Sequence, residues 1–195
     1  MYKARIVIGC GDESLRKHLK AALTKAGYIV MSEDSDGLKT LKAIQRLAPD
    51  LVILEGQLTN ISGYQIAKNL AEADQAPVIL ISGYGEANSI ERAAECRVYA
   101  HLIKPVEEAN LFAAVEVALA NYQRVLDLKK EIKRFEKAVQ SRKLVEKAKG
   151  LLMKHHGLTE MEAYNKLRKE SMNKQLSMGK IAENVIAFYE MMQKK

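Results

Sequence analysis

The side chains able to do chemistry in this chain are few and unevenly placed. Cys10 and Cys96 stand without a nearby histidine or second cysteine, so they make neither a metal-ligand set nor a disulfide framework, and inert buried thiols are expected. The stretch GCGDES at 9–14 lacks both G-x-G-x-x-G and a following Lys-Ser/Thr, and is no phosphate-binding loop. No nucleophile–base pair appears, so neither catalysis nor a cofactor is expected. What remains is a set of cations: Arg142, Lys143, Lys147, Lys149, Lys154, Lys166, Arg168, Lys169, Lys174 and Lys180. Lysine and arginine supply affinity for phosphates, while aromatic rings and guanidinium planes stack unpaired bases. Tyr164 lies among these cations, and Arg168 follows four residues later on the same helical face. Packing between helices is the slightly favoured role for Tyr164. Lys147 and Lys149 flank Ala148, and Gly150 costs a helix about 1 kcal/mol against alanine while leaving room for a backbone or base to approach.

The segment holding these residues, 142–182, divides into three pieces of helical spacing. His155-His156-Gly157 places histidine in a last turn and glycine at the stop. Thr159 to Glu162 forms a Ser/Thr-x-x-Glu capping box that opens the second piece. A second break falls at 173–179, with Ser177 as candidate cap. The stripes Val145/Ala148/Leu152, Met161/Tyr164/Leu167 and Ile181/Val185/Phe188 predict one buried face for each piece. Phe188, Tyr189 and Met191-Met192 are expected to pack the third helix or a dimer. Three short basic helices with no strand signal point to nucleic-acid binding, with nothing in the composition to separate RNA from DNA.

The pieces AKGLLM (148–153) and LTEMEAYNKLR (158–168), with Ser171-Met172 and Ile181-Ala182 after them, resemble an ANTAR domain over residues 138–195. That family is a three-helix RNA-binding module of bacterial antitermination regulators. The resemblance implies binding of paired hairpins with six-base loops in nascent messenger RNA, which would prevent a terminator hairpin from forming. Arg142, Lys143, Lys147, Lys149, Tyr164, Arg168, Lys169 and Lys174 are the residues expected to meet the RNA.

Charge is distributed to match. Residues 1–120 carry 13 basic and 15 acidic side chains, a net of −2, whereas 121–195 carry 18 and 9, a net of +9. A strongly basic second part favours a polyanionic partner. No apolar run approaches the roughly 18 residues that cross a bilayer, and no leader pattern opens the chain; no membrane association and a cytoplasmic location are expected.

The first part alternates between two periodicities. Continuous apolar runs at 5–9, 51–54 and 78–82 read as parallel strands covered on both faces. Shorter strands are predicted at 28–31 and 98–103. Helices are predicted at 15–26, from Asp36 to Pro49, at 62–71, at 86–94 and from about 107. Five strands alternating with five helices imply a doubly wound α/β parallel sheet, whose ligands sit at the carboxyl ends of the strands.

The sequences PDLVILEGQLTNISGYQIA (49–67), PVILISGYGE (77–86) and HLIKP (101–105) resemble a response-regulator receiver domain across residues 3–121, a flavodoxin-like fold. The family phosphorylates an aspartate after its third strand, and an acidic pair after the first holds Mg²⁺. Carried over, Ser82 matches its hydroxyl residue and Lys104, ahead of Pro105, its lysine. The departures are substantial. Glu55 stands in the phosphoacceptor position, the acidic pair falls on Cys10 and Gly11, and Asp12 comes one residue late. Cysteine and glycine offer no side-chain oxygen to a hard cation, and phosphoryl transfer depends on that cation. A degenerate, unphosphorylated receiver is therefore expected, with no metal. Glu55 either pairs with Lys104 and mimics the activated state or belongs to a domain that only supports dimerisation. His101 stands where the family has a switching Tyr or Phe.

Between the two parts the helical pattern does not stop, since no Pro or Gly occurs between Pro105 and Gly150. Tyr122, Val125, Leu128, Ile132, Phe135 and Val139 recur at steps of three and four, a coiled-coil seam that predicts a homodimer. The expected organisation is an atypical receiver at 1–121, a coiled-coil linker at 122–138 and a three-helix ANTAR domain at 139–195. Such a protein would answer to an upstream sensor protein and act as an RNA-binding antiterminator. A DNA-binding response regulator and a basic protein-interaction module are the alternatives.

Overall fold

A computed structural model of the chain describes residues 3–86 and 88–192. It contains two compact units, Met1–Leu126 and Asp127–Lys195. The first holds five strands: β1 (Arg5–Gly9), β2 (Ile29–Asp34), β3 (Leu51–Glu55), β4 (Val78–Ser82) and β5 (Ala100–Ile103). All pair in parallel in the order β2-β1-β3-β4-β5. Helices α1 (Glu13–Lys25), α2 (Gly37–Leu47), α3 (Gly63–Glu72) and α4 (Ser89–Glu95) alternate with them, and α5 begins at Glu108. The doubly wound sheet is thus the observed architecture.

The central strands are apolar throughout because both faces are covered; every residue of β3 and β4 is buried. On one face Ile6, Ile8, Ile53 and Ile79 pack with Leu19 and Leu23 of α1 and Leu111 and Val115 of α5. On the other, Val7, Val52, Leu54 and Leu80 pack with α2, α3 and Ala93 of α4. Asp12, Asp36 and Ser62 cap α1, α2 and α3 by accepting from the third backbone N–H beyond them.

Several boundaries differ from expectation, among them that of α1, which begins at Glu13 rather than at residue 15. Strand β2 runs on through Ser32-Glu33-Asp34, polar residues that an edge strand tolerates because backbone pairing places them while Glu33 meets Lys20 and Asp34 accepts from the Asp36 N–H. Strand β5 begins at Ala100 rather than at residue 98. Helix α4 begins at Ser89 rather than at residue 86, since Glu86 faces back into its loop, where it accepts from the Tyr64 hydroxyl and the Gly83 N–H.

Helix α5 is one element of 49 residues, Glu108–His156, and the unit boundary falls inside it. In the second unit its C-terminal part packs with α6 (Glu160–Lys174) and α7 (Met178–Met192). The capping box forms as expected: Glu162 N–H donates to Thr159 Oγ1, and Glu162 Oε2 accepts from Thr159 N–H at 2.8 Å. Ser177 caps α7 by accepting from Lys180 N–H at 3.2 Å. Gly179 is needed where α7 crosses α5, because a Cβ there would lie 2.4 Å from Ser141 Oγ.

The small core is Val145, Ala148, Leu152, Ala163, Leu167, Ile181, Ala182, Ile186 and Tyr189. The α5 stripe is as predicted, but the other two are corrected. Helix α6 buries Ala163 and Leu167, while Met161 and Tyr164 stay 70% and 40% exposed. The small alanine brings α6 close and turns the larger side chains outward. On α7, Ile186 and Tyr189 enter the core and Phe188 remains exposed.

Candidate functional site

At the carboxyl end of the sheet, β3 delivers Glu55, β4 delivers Ser82, and Lys104 follows β5 across a cis peptide to Pro105. Glu55 is held from behind by the start of α3, where Gly63 lies so near the Glu55 carbonyl that a Cβ would overlap it at 2.0 Å. Its carboxylate turns back toward the end of β1. Oε2 accepts from Gly11 N–H at 2.7 Å, Asp12 N–H at 3.2 Å and the Cys10 thiol at 3.3 Å. Oε1 takes an ion pair from the Lys104 ammonium, which also lies 3.5 Å from Asp12 Oδ2.

These contacts set the protonation states. Burial works to raise the Glu55 pKa, but Lys104 and the Asp12 amide outweigh it and hold the carboxyl below its ordinary value. Burial likewise opposes the Lys104 charge, and Glu55 overrides it and raises the lysine. Burial and the adjacent Glu55 charge push the Cys10 thiol up to about 12, leaving no thiolate for chemistry. Ser82 is drawn elsewhere: its Oγ lies 2.8 Å from His101 Nε2. Burial lowers the His101 pKa.

The predicted nucleic-acid residues divide into three groups. Arg142, Lys143, Lys147, Tyr164, Arg168 and Lys169 are exposed. Lys147 makes only a surface contact, to Glu190 at 2.8 Å. Lys149 is a correction. Its side chain is 9% exposed and clamped between Glu146 at 2.9 Å and Glu160 at 2.7 Å, so it ties α5 to α6 instead of facing solvent. Lys174 is exposed and paired with Glu170 at 3.0 Å, on the part of α6 that faces α7. Gly150 has nothing within 4 Å of where its Cβ would be, so the surface beside Lys147 is open.

Comparison with known proteins settles the family. The response regulator receiver domain profile matches residues 11–116, more than half of the chain. The chain is a response regulator. The ANTAR domain profile matches residues 133–186, giving a receiver followed by a C-terminal ANTAR domain. The transcriptional regulatory protein PdtaR of Mycobacterium tuberculosis is 29% identical over 182 residues, 93% of this chain and 89% of that protein. The transcriptional regulatory protein AfsQ1 of Streptomyces coelicolor is 30% identical over 115 residues, 58% of this chain and 50% of its own length. In fold, the signal receiver domain of the response regulator NarL from Mycobacterium tuberculosis superposes with a TM-score of 0.58 at 24% identity, covering 62% of this chain and 98% of its own. No helix among the described residues is long and apolar enough to cross a membrane.

The receiver of this response regulator does not suit the family's Mg²⁺. Gly11 offers no side chain, Cys10 is a neutral buried thiol, and both Glu55 oxygens are engaged by the chain's own donors. An ammonium group, Lys104, stands between Asp12 and Glu55 where a cation would need their oxygens. Sequence reasoning singled out Glu55, Ser82 and Lys104 and weighed a pairing of Glu55 with Lys104. It missed the Cys10 and backbone donors to Glu55, the His101–Ser82 contact and the Glu160 partner of Lys149. These pairs are 45, 19 and 11 residues apart and follow no local spacing rule.

Proposed function

We propose that this response regulator is an RNA-binding antiterminator whose receiver is not phosphorylated and whose dimer presents two ANTAR domains to paired hairpin loops in nascent messenger RNA. The observation that carries the reading is the exposed surface of the matched ANTAR domain. There Tyr164 and Arg168 lie one turn apart on α6, and Lys143 and Lys147 are exposed on α5, with no core demand on any of them. A ring and a guanidinium on one face suit unpaired bases, and the lysines suit phosphates. Met161 and Met172, each 70% exposed, extend the apolar part of the same face. The functional divisions are residues 1–121, 122–138 and 139–195, acting in the cytoplasm and answering to a sensor protein.

A titration of the whole protein at fixed salt tests this, using a two-hairpin RNA with six-base loops, a loop-scrambled RNA and a duplex DNA of equal charge. The intact-loop RNA is expected to bind best. Arg168→Ala is expected to weaken it about ten-fold, within the range for losing one base or phosphate contact, with an unchanged melting temperature. Equal binding to all three would reduce the surface to a general polyanion or protein-interaction face, and preference for the duplex would make the protein a DNA-binding regulator.

The receiver half of the proposal is tested separately. Incubation with an acyl-phosphate donor and Mg²⁺ is expected to leave the intact mass unchanged, because Glu55 is tied and its metal ligands are missing. A single phosphate addition would refute it.

A further inference from the structure

A cleft lies between α6 and α7, on the side of α6 where Lys174 pairs with Glu170. It is an open groove of about 320 Å³ over a floor that includes Leu152, Ile181 and Val185. Lys166 and Lys174 stand on its α6 side, Asn184 and Phe188 on its α7 side, and His156 closes one end, its Nε2 2.6 Å from the Tyr189 hydroxyl. Phe188 is 57% exposed, yet its ring is braced edge-on by the buried Tyr189 at 5.4 Å. The one carboxylate lining the cleft, Glu170, is spent on Lys174 at 3.0 Å, a half-exposed pair that a phosphate can displace at little cost. A braced aromatic ring, a free amide and two lysines over an apolar floor suit a planar heteroaromatic ring with an anionic tail. The volume is at the small end of ligand sites, too small for a duplex, which has no unstacked ring to offer.

We propose that this cleft is a second nucleotide site, taking one base splayed from the RNA loop with Phe188 as the stacking surface, Asn184 at its edge, and Lys166 and Lys174 on the flanking phosphates. It rests on the RNA reading of the ANTAR domain and adds to it a location. Tyr164 and Lys166 lie roughly 160° apart around α6, at 3.6 residues per turn, and mark the two edges of its exposed face. Arg168 and Lys169 fall between them on the exposed side. A loop of unpaired nucleotides can therefore straddle α6, with one base held at Tyr164 and another at Phe188. Lys174, which lines the cleft, finds its role here.

The test is a coupled titration of the full-length protein with loop RNAs that each carry one abasic nucleotide. Phe188→Ala is expected to weaken the intact loop about ten-fold, the order expected for one lost base–aromatic stack. One abasic position that weakens the wild type is expected to cost Phe188→Ala nothing, and a different position is expected to couple to Tyr164→Ala. A loop-dependent wild type with Phe188→Ala binding equally well, or paying the same abasic cost, would overturn this site alone. Loss of loop dependence in the wild type would remove the RNA reading and this site with it. Should Phe188→Ala melt early, the exposed Lys166→Ala and Asn184→Ala carry the same coupling test with the same two outcomes.

Discussion

Lys104→Ala is expected to cost the receiver about 2–3 kcal/mol of stability, at or just below the range for removing one partner of a buried ion pair because both groups keep some contact with water. Side-chain exposure is 27% for Lys104 and 11% for Glu55, so the abandoned carboxylate is the more deeply placed of the two. It would keep the amides of Gly11 and Asp12 but lose its counter-charge. The acid response follows from the sign of the Glu55 shift. Its folded pKa is depressed below the ordinary 4.5, so the stability it contributes is complete above that value and is lost as pH falls through the lower folded value. Without Lys104, burial acts with less opposition, the folded pKa rises, and the loss begins at a higher pH. Urea unfolding of wild type and Lys104→Ala from pH 7 down to about pH 2, followed by circular dichroism, measures both effects. Glu55→Gln is expected to cost less and to flatten the acid limb. Coincident wild-type and Lys104→Ala curves would mean that the carboxylate reaches water without the lysine.

Ile132→Glu is expected to convert the protein from dimer to monomer. Leu128, Ile132, Phe135 and Val139 are 56–68% exposed along one face of α5, a row of large apolar side chains with no cover from their own unit. Branched Val125, Ile132 and Val139 alternate with Leu128 and Phe135 at seam positions, the pattern that favours two strands. Any two-fold pairing of the seam meets the substitution twice, and each glutamate would have to be buried or the contact opened. Sedimentation at micromolar concentration is expected to show two chains for the wild type and one for the variant. Affinity for a single hairpin should survive, while the two-hairpin RNA loses the avidity of linked sites, about 10² or more. A wild type that sediments as one chain at tens of micromolar would end the dimer reading.

The sheet was legible because parallel strands buried on both faces leave unbroken apolar runs, as LVIL and VILIS do. The capping box was legible because its two hydrogen bonds join residues three apart. What escaped was set by distance in sequence or by phase. Strand β2 runs through Glu33 and Asp34, whose pairing is made by backbone alone and leaves no side-chain signal. The apolar residues of α6 fit more than one helical face, and the small Ala163 took the core position assigned to bulkier neighbours. Lys149 resembled its neighbouring lysines until the turn after Gly157 brought Glu160 against it. In the pocket, residue types alone raised the expectation of a receiver without its metal ligands. That one Glu55 oxygen is answered by a thiol and two amides is a matter of backbone path.

Four donors on one carboxylate are about as many as its lone pairs can take. An acyl phosphate forms and hydrolyses, and its half-life times the response of the regulator that carries it. The Glu55 charge has no half-life. If the receiver is not phosphorylated, as proposed, a regulator built on that charge would keep no record of when a signal arrived, and under the dimer reading its output would follow mass action among its own copies. Abundance would then be an adjustable quantity, set by synthesis and degradation of the protein.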